Sequence, residues 1–271
     1  MTFEAFDTSL QGGRPAELLT FSYGGVTVRN TTYGEDITVD GNLYTSVAIS
    51  ISAVEASPER PRNNLRLDVP RDHPIADLFR VSPPTQVIAL TYGRVQLDDP
   101  DEEIITPWLG RVLNADWQSG AYAQLLCEPV GTSQTRNGNT RKYSRTCPYR
   151  LYGPDCSVPL ASFQTSTTVT ALSGLGLTVA AVTSGQSYRG GYITWVDDNG
   201  LDQHRYIDGQ TGPALTITLP FSGLEIGDTV LIAPGCDHSL ATCGSQFDNA
   251  LNYGGFPLIP TKNPFAGDPI F

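Results

Sequence analysis

Short runs of alternating polar and apolar residues dominate the first half of the chain and predict successive β-strands. The segment NNLRLDVP at 63–70 has the period-two alternation of a half-buried strand. ELLTFSY and VTVRN flank Gly24-Gly25, and DITV and NLYTSVAISI flank Asp40-Gly41, so each pair is predicted to form a β-hairpin. These turn residues favour hairpins because they tolerate positive φ.

The period changes at RDHPIADLF, residues 71–79, which is predicted to be a short helix. Asp72 stands in a capping position, Pro74 lies in the first turn, and three apolar residues line one face. TQVIALTYGRV, ITPWLGRVLNADW and AYAQLLCEPV follow as strands, the last two joined across Ser119-Gly120. Cys127 has apolar neighbours in the last of these strands, and we therefore assign it to the core.

A polar segment at 130–146, VGTSQTRNGNTRKYSRT, indicates a boundary or an exposed loop before a second β unit. About six short strands follow, with the spacing of a small barrel or sandwich: TTVTAL, GLTVAAV, GGYITWVD, QHRYID, ALTITLP and DTVLIAP. Asn199-Gly200 lies between two of them. The pattern there favours a hairpin turn over a calcium loop, because the glycine position and the missing distal Glu do not fit the calcium motif.

The pattern as a whole predicts a mainly β protein with two domains. The first, at 1–130, is a β-rich domain with one short helix. The second, at 131–271, is closed by cysteines and carries a small inserted β-barrel or sandwich at about 165–235. The C-terminal tail after Cys236 is predicted to be neither helix nor strand, although its interleaved aromatic residues indicate that it is held in place. The 27 glycines, 20 prolines and 17% charged residues agree with an ordered protein rich in turns.

The formal net charge of −11 argues against a nucleic-acid partner, because a phosphate backbone requires a basic face. An acidic run, DDPDEE, occupies 98–103, and a basic run occupies 136–150. The basic residues are Arg136, Arg141, Lys142, Arg145 and Arg150. Each run taken alone is typical of a solvated loop. A sharper hypothesis is that the two runs meet complementary patches on neighbouring subunits.

The N-terminal sequence MTFEAFDTSL has neither the basic nor the apolar region of a signal peptide. The most apolar stretch, at 168–182, is interrupted by Gly, Ser and Thr and is too short to span a bilayer. We therefore expect synthesis in a cytosol and no stable membrane anchoring. In that compartment thiols stay reduced, so structural disulfides are disfavoured.

Four cysteines stand in two pairs, Cys147 with Cys156 and Cys236 with Cys243. Eight residues separate the first pair, six the second, and 79 lie between the pairs. Zinc held by four thiolates remains open, although zinc knuckles close on tighter C-x₂₋₄-C turns. Four unrelated buried thiols are a poor fit to irregular backbone rich in proline and glycine.

An iron–sulfur cluster is a further explanation, because four thiolates around an object larger than one ion tolerate wider spacings. Such a site needs an apolar shell. The sequence offers candidates for it near the cysteines: Leu151, Tyr152, Phe247, Tyr253 and Phe256. His238, between two cysteines, is a candidate neighbour of the ligands or a replacement for one of them. Spacing alone leaves the cluster near parity with zinc.

The sequence YSRTCPYRLYGPDCSV, followed by PGCDHSLATCGSQFDNALNYGGFPLIP, resembles the C-terminal signature of a phage tail-tip hub family. This family includes the minor tail protein L of phage lambda and the hub protein of gene transfer agents. The two cysteine spacings match the lambda pattern, and LYG with N…GGFP.IP is similar to the gene-transfer-agent branch. The resemblance extends more weakly over the N-terminal half, including PIADLF.

The resemblance implies a [4Fe–4S] cluster bound by Cys147, Cys156, Cys236 and Cys243. It also implies a homotrimeric structural hub at the tip of a long non-contractile tail, between the distal tail protein ring and the central fibre or tip protein. The protein would be part of the virion and would be assembled in the cytoplasm of the bacterial host. The β unit between the cysteine pairs is longer than in the lambda protein and looks like an insertion.

The sequence contains no recognisable catalytic motif in a suitable context, so we expect no enzyme activity. His73, at the helix start, is predicted to have a capping or surface role. A rival hypothesis is a zinc-stabilised β-sandwich module that binds a host-surface glycan. The aromatic residues of the insertion would then form a sugar-stacking face, although strand alternation favours core positions for them: Tyr188, Tyr192, Trp195 and Tyr206. A redox sensor is the weakest alternative.

Overall fold

The computed structural model describes residues 3–9, 12–54, 63–117, 120–135, 141 and 143–260. It divides into two compact units, Met1–Arg136 and Asn137–Phe271. The boundary predicted from sequence, between residues 130 and 131, lies close to this division. Each unit is built mainly from β-strands, so the prediction of a mainly β fold is confirmed.

The first unit is organised around one nine-stranded sheet with the order β3-β4-β2-β1-β7-β8-β9-β6-β5. All neighbouring strands are antiparallel except β2 and β4, which are parallel. The strands are β1 Pro15–Tyr23, β2 Val26–Thr31, β3 Ile37–Val39, β4 Asn42–Ser46, β5 Ser50–Ile51, β6 Leu65–Pro70, β7 Ile88–Gln96, β8 Ile105–Asp116 and β9 Tyr122–Pro129. The helices of this unit are α1 Phe3–Asp7, α2 Pro74–Asp77 and a 3₁₀ turn at Val130–Thr135.

Both predicted hairpins are confirmed. Gly24 and Gly25 have φ of 51° and 87° between β1 and β2, and Asp40 and Gly41 have φ of 48° and 71° between β3 and β4. Positive φ at both central residues matches the twist of the flanking strands. The pairing of β8 with β9 is also present, although Ser119 of the predicted connection lies outside the described residues.

Two local predictions in this unit are wrong. NLYTSVAISI is not one strand: β4 ends at Ser46, the chain turns through a hydrogen bond from Ile49 N to Val47 O, and β5 pairs instead with β6. The cap of α2 is His73 and not Asp72, because the His73 ring nitrogen accepts the Ile75 backbone N–H at 3.3 Å. His73 is only 3% exposed, so its role is a buried cap and not a surface position.

The apolar residues of alternating strand positions form the core of the first unit. Leu19, Phe21, Leu67 and Leu125 are completely buried within it. Cys127 belongs to this cluster and is 0% exposed, so its assignment to the core is confirmed. Burial raises the pKa of its thiol to about 12, which keeps it protonated.

The second unit contains a closed six-stranded barrel with the order β10-β11-β14-β13-β12-β15. Its strands are β10 Thr165–Ser173, β11 Gly176–Val179, β12 Tyr192–Val196, β13 Asp202–Thr211, β14 Ala214–Ile217 and β15 Thr229–Ala233. The six predicted strands are therefore present, and the alternative of a sandwich is wrong because β15 pairs with β10 and closes the sheet. Closure leaves no strand edge unpaired around the barrel.

The turn at Asn199-Gly200 joins β12 to β13, as predicted. Asp197 stabilises it, since one carboxylate oxygen accepts the backbone N–H groups of Asn199 and Leu201 at 2.9 Å. The other oxygen accepts the side-chain amide of Gln203 at 2.9 Å. Both oxygens of this carboxylate therefore stabilise the hairpin turn.

The prediction that the tail lacks a helix is wrong. Helix α3 spans Leu240–Phe247, with Ser239 as its N-cap and Asp248 as a left-handed C-cap at φ 48°. Its two buried residues, Cys243 and Phe247, are four apart and lie on one face, so tertiary packing supports a helix that intrinsic propensity favours weakly. Further 3₁₀ turns occupy Leu160–Ser162 and Ala250–Asn252. In the described part of the chain, no helix has the length and apolar character needed to cross a bilayer.

Candidate metal centre

Four cysteines from distant parts of the sequence line one cavity in the second unit. They are Cys147, Cys156, Cys236 and Cys243. The cavity is small, with a volume of about 20 Å³. None of the four is in a disulfide. The structure therefore brings together the four residues that the sequence had nominated as ligands.

Hydrogen bonds to main-chain carbonyl groups fix the two cysteine segments to each other. The backbone N–H of Cys147 donates to the His238 carbonyl at 2.9 Å. The hydroxyl of Tyr152 donates to the carbonyl of Pro234 at 2.7 Å. These contacts join the loop of the first pair to the segment that leads from β15 into the second pair.

A close backbone approach places Cys236 immediately after the barrel. A Cβ atom added to Gly235 would collide with the carbonyl oxygen of Arg189 and the backbone N of Gly191. Only glycine permits this contact, because it has no Cβ. The exit of β15 is thus held against the loop that precedes β12, and Cys236 follows at a fixed position.

The C-terminal arm, defined as residues 248–260, packs over the first cysteine segment. The Tyr253 hydroxyl donates to the Arg145 carbonyl at 2.6 Å and to the His238 carbonyl at 3.1 Å. A Cβ added to Gly255 would lie 2.7 Å from the Arg145 carbonyl oxygen. The arm is therefore held in place, as its aromatic content indicated. Three further residues of the predicted tail lie outside the described residues: Pro264, Phe265 and Pro269.

Asn249 contacts both cysteine pairs and was not identified from the sequence. Its side-chain amide donates to the Cys156 carbonyl at 2.7 Å and lies 3.9 Å from the Cys156 sulfur. Its carbonyl accepts the Cys243 thiol at 3.3 Å, and its N–H donates to the Cys243 carbonyl at 3.0 Å. Its position two residues after Phe247 is too weak a sequence signal to assign a role.

Backbone strain is concentrated around this cavity. Tyr152, Ser157, His238 and Asp248 all have φ between 48° and 62°, in the left-handed region. Each lies within a few residues of a cysteine. Such conformations cost free energy and persist only where the surroundings fix them, and they are frequent at functional sites.

The thiols influence each other electrostatically. Burial raises the pKa of Cys236 and of Cys243, and the negative charges of the other cavity thiolates raise both pKa values further. The backbone N–H of His238, which donates to the Cys236 sulfur at 3.3 Å, partly opposes this for Cys236. Four thiolates in one cavity therefore repel each other unless a positive group lies between them.

The other residues nominated from the sequence occupy different positions. Leu151, Phe247 and His238 line the cavity. Tyr152 does not line the cavity and packs edge-on against Phe247, which does, with ring centroids 6.1 Å apart. Tyr253 is not among the lining residues and acts through the hydrogen bonds of its hydroxyl. Phe256, expected in the apolar shell, is instead 46% exposed and stacks on Tyr143 at 4.1 Å.

The donor set has the chemistry of a site for a soft metal, since it presents four sulfur atoms and no carboxylate among its lining residues. A single tetrahedral zinc ion with Zn–S bonds of about 2.3 Å would require sulfur atoms about 3.8 Å apart. Within the described residues, no group of three or more His, Cys, Asp and Glu side chains is placed to hold one metal ion. Four cysteines around one cavity are a donor set that either a single zinc ion or an iron–sulfur cluster uses.

Comparisons with known proteins agree with the resemblance drawn from the cysteine motifs. Residues 186–263 match a family model described as "Phage conserved hypothetical protein BR0599". An uncharacterized protein of Xylella fastidiosa (strain 9a5c) is 32% identical over 115 residues, which are 41% of this chain and 24% of that protein. The chain thus spans about a quarter of the length of this relative.

A chain in the structure "Virion of native gene transfer agent (GTA) particle" has the same fold. The TM-score is 0.77 and the sequence identity 18%, with 99% of this chain and 95% of that chain covered. The predicted resemblance to proteins of phages and gene transfer agents is therefore confirmed, from the phage family match in one segment and from the fold over nearly the whole length.

Proposed function

We propose that this protein is a structural hub at the distal tail tip of a long non-contractile-tailed phage or a gene transfer agent. One observation carries the proposal. Two cysteine pairs that lie 79 residues apart in sequence meet at one cavity, in a chain with the fold of a gene transfer agent virion chain. The proposal makes the protein a component of the virion, assembled in the cytoplasm of the bacterial host.

In this proposal Cys147, Cys156, Cys236 and Cys243 hold a [4Fe–4S] cluster. The cluster supplies a covalent cross-link between two segments and neutralises the repulsion among the four thiolates. Asn249 orients the Cys156 and Cys243 segments, and Leu151 and Phe247 limit the access of water. By the loop-closure estimate used for disulfides, a link across about 80 residues stabilises the unit by about 4 kcal/mol.

The proposed partners are two further copies of the chain, the distal tail protein ring and the central fibre or tip protein. Several features support an assembly subunit over an enzyme. The outward side of β8 exposes Leu109 and Leu113 at 48% and 39%, and the C-terminal arm exposes Leu251 and Leu258 almost completely. Apolar side chains left uncovered on a single subunit are typical of surfaces that another subunit covers.

Metal analysis tests the proposed centre. After anaerobic purification, the protein is expected to contain iron and acid-labile sulfide at about four of each per chain, with the absorption of a cluster. Cys147→Ser and Cys243→Ser should lose most of the iron, because each removes one thiolate. Cys127→Ser is the matched control and should retain it, since Cys127 lies in the core of the other unit.

A colourless protein with one zinc per chain would contradict the cluster. Loss of metal in Cys127→Ser to the same extent as in the other variants would contradict the assignment of the ligands. The proposed trimer has a separate test: light scattering of the metal-loaded protein should give three times the mass of one chain. A monomer at all concentrations would argue against that part of the proposal alone.

A further inference from the structure

A second cavity of the Asn137–Phe271 unit lies against the outer surface of the barrel. The cavity has a volume of about 410 Å³, which is within the size range of small-molecule sites. The lining residues come from four segments: Arg150 and Leu151, Gly190 to Tyr192, His204 to Tyr206, and His238. We call this cavity the barrel-side pocket.

The strand register explains why two tyrosines line the barrel-side pocket. Tyr192 of β12 is paired with Tyr206 of β13, and Thr194 is paired with His204. These four residues alternate with the core residues of the two strands, so their side chains lie on the outer face. Tyr206 is 50% exposed, and the Tyr192 ring packs edge-on against His204 at 5.6 Å.

The four aromatic residues nominated from the sequence therefore divide between two roles. Tyr188 and Trp195 are core residues of the barrel, at 0% and 6% exposure. Tyr192 and Tyr206 instead present their rings to the barrel-side pocket. The interpretation of all four as core is wrong, and so is that of all four as one stacking face.

The barrel-side pocket is basic although the chain as a whole carries a net charge of −11. Its basic lining residues are Arg150, Arg205, His204 and His238, and no carboxylate lines it. The guanidinium of Arg150 lies near enough to the Tyr192 phenol to oppose the rise in its pKa caused by burial. Two exposed arginines elsewhere have an acidic partner, Arg141 beside Asp155 and Arg80 beside Asp77. Within the described part of the chain, Arg150 has no such partner.

We propose that the barrel-side pocket binds a sugar ring that bears a carboxylate. Arg150 pairs with the carboxylate, because a guanidinium forms two parallel hydrogen bonds to that group. The rings of Tyr192 and Tyr206 pack against the apolar side of the sugar. An acidic peptide would supply the charge but no ring for the two tyrosines.

The test uses the complete, metal-loaded protein and three soluble probes. Glucuronate carries a ring and a carboxylate, glucose carries only the ring, and glutarate carries only carboxylates. Saturation-transfer NMR and calorimetry are expected to show glucuronate binding with a Kd on the order of 1 mM, with glucose and glutarate at least about tenfold weaker. Equal binding of glucose or of glutarate would overturn the proposal.

Variants locate the binding. Arg150→Gln should weaken glucuronate binding at least about tenfold, and Tyr206→Ala should weaken it several-fold without affecting glutarate. Arg145→Gln is the matched control, since Arg145 is exposed in the same basic segment but does not line the pocket. Glucuronate binding that survives Arg150→Gln would overturn the proposal.

The outcome is distinguishable from that of the proposed hub function. Iron and sulfide are measured on the same samples. Absence of sugar binding by a protein with its full iron content therefore overturns only the proposal for the barrel-side pocket. Sugar binding by a protein without iron would leave the pocket standing and contradict the metal centre.

Discussion

His73 is a histidine that the fold keeps neutral. One ring nitrogen accepts the Ile75 N–H, and the other lies 3.1 Å from the side-chain oxygen of Asn30, to which it donates. The neutral ring satisfies both contacts, whereas a protonated ring would lose the first. Burial lowers the pKa of His73 to about 4, and the nearby charge of Asp72 opposes this only in part.

Stability should therefore depend on pH through this residue. In the unfolded chain the imidazole has an ordinary pKa of about 6.5, so below that pH the unfolded state binds a proton that the native state excludes. The free energy of unfolding is expected to fall as the pH drops from about 6.5 towards 4, by as much as about 3 kcal/mol. Urea titrations of the wild-type protein across this range measure the effect.

His73→Asn tests whether His73 causes this pH dependence of the free energy of unfolding. Asparagine is a good N-cap and does not titrate, so the variant should lose no more than about 1 kcal/mol at pH 7 and should show a flatter dependence between pH 6.5 and 4. His204→Asn, in the other unit, is the control and should leave the unfolding of the first unit unchanged. If the free energy of unfolding of His73→Asn falls as steeply with pH as that of the wild type, carboxylates elsewhere cause the loss of stability.

The position of the C-terminal arm depends on the absence of a side chain at Gly255. Gly255 approaches the backbone of the first cysteine segment, where a Cβ would meet the Arg145 carbonyl oxygen at 2.7 Å. The backbone there cannot move away easily, because the Tyr253 hydroxyl already binds the same carbonyl. Displacement of the arm would also displace Asn249, which holds the two cysteine pairs in register.

Gly255→Ala is accordingly expected to destabilise the second unit by about 1–3 kcal/mol, as overpacking does in other cores. The variant should also release iron faster when a chelator is added. Gly34→Ala is the matched control, since a Cβ at Gly34 meets nothing within 4 Å. Thermal unfolding and the rate of iron release measure both effects, and identical behaviour of the two variants would show that the arm does not support the centre.

At the scale of the molecule, the two units should respond differently to removal of the proposed metal. Each has its own buried core, built on Leu19 and Phe21 in the first unit and on Ile193 and Ile207 in the second. We expect a chelator to lower the free energy of unfolding of the second unit by about 4 kcal/mol and to leave the first unchanged. Hydrogen exchange read by mass spectrometry separates the two, and equal loss of protection in both units would contradict the expectation.

Much of this architecture was predictable because local chemistry and global fold agree. Gly24-Gly25 and Asp40-Gly41 determine their hairpins within a few residues, and the six strands of the barrel have regular turn signals. The convergence of the four cysteines was foreseen only through their motif. No periodicity indicates that Cys147 and Cys236, so far apart in the chain, share one cavity.

The wrong predictions are those in which tertiary contacts outweigh local preference. Helix α3 contains Gly244 and has a weak apolar pattern, yet the burial of Cys243 and Phe247 stabilises it. The chain leaves the sheet at Val47, whose N–H donates to the Thr31 carbonyl, although β-propensity continues through that segment. Asn249 has no propensity signal at all, because its importance lies in partners 93 residues away.

The barrel begins and ends at neighbouring strands, since Thr165 of β10 pairs with Ile232 of β15. Residues paired across antiparallel strands have Cα atoms about 5 Å apart, so the chain enters and leaves the barrel at nearly the same place. The barrel can therefore be exchanged, enlarged or shortened in evolution while the cysteines that flank it in sequence keep their positions. A lineage built on this plan would be free to change the barrel quickly while it conserves the segments that carry the two cysteine pairs.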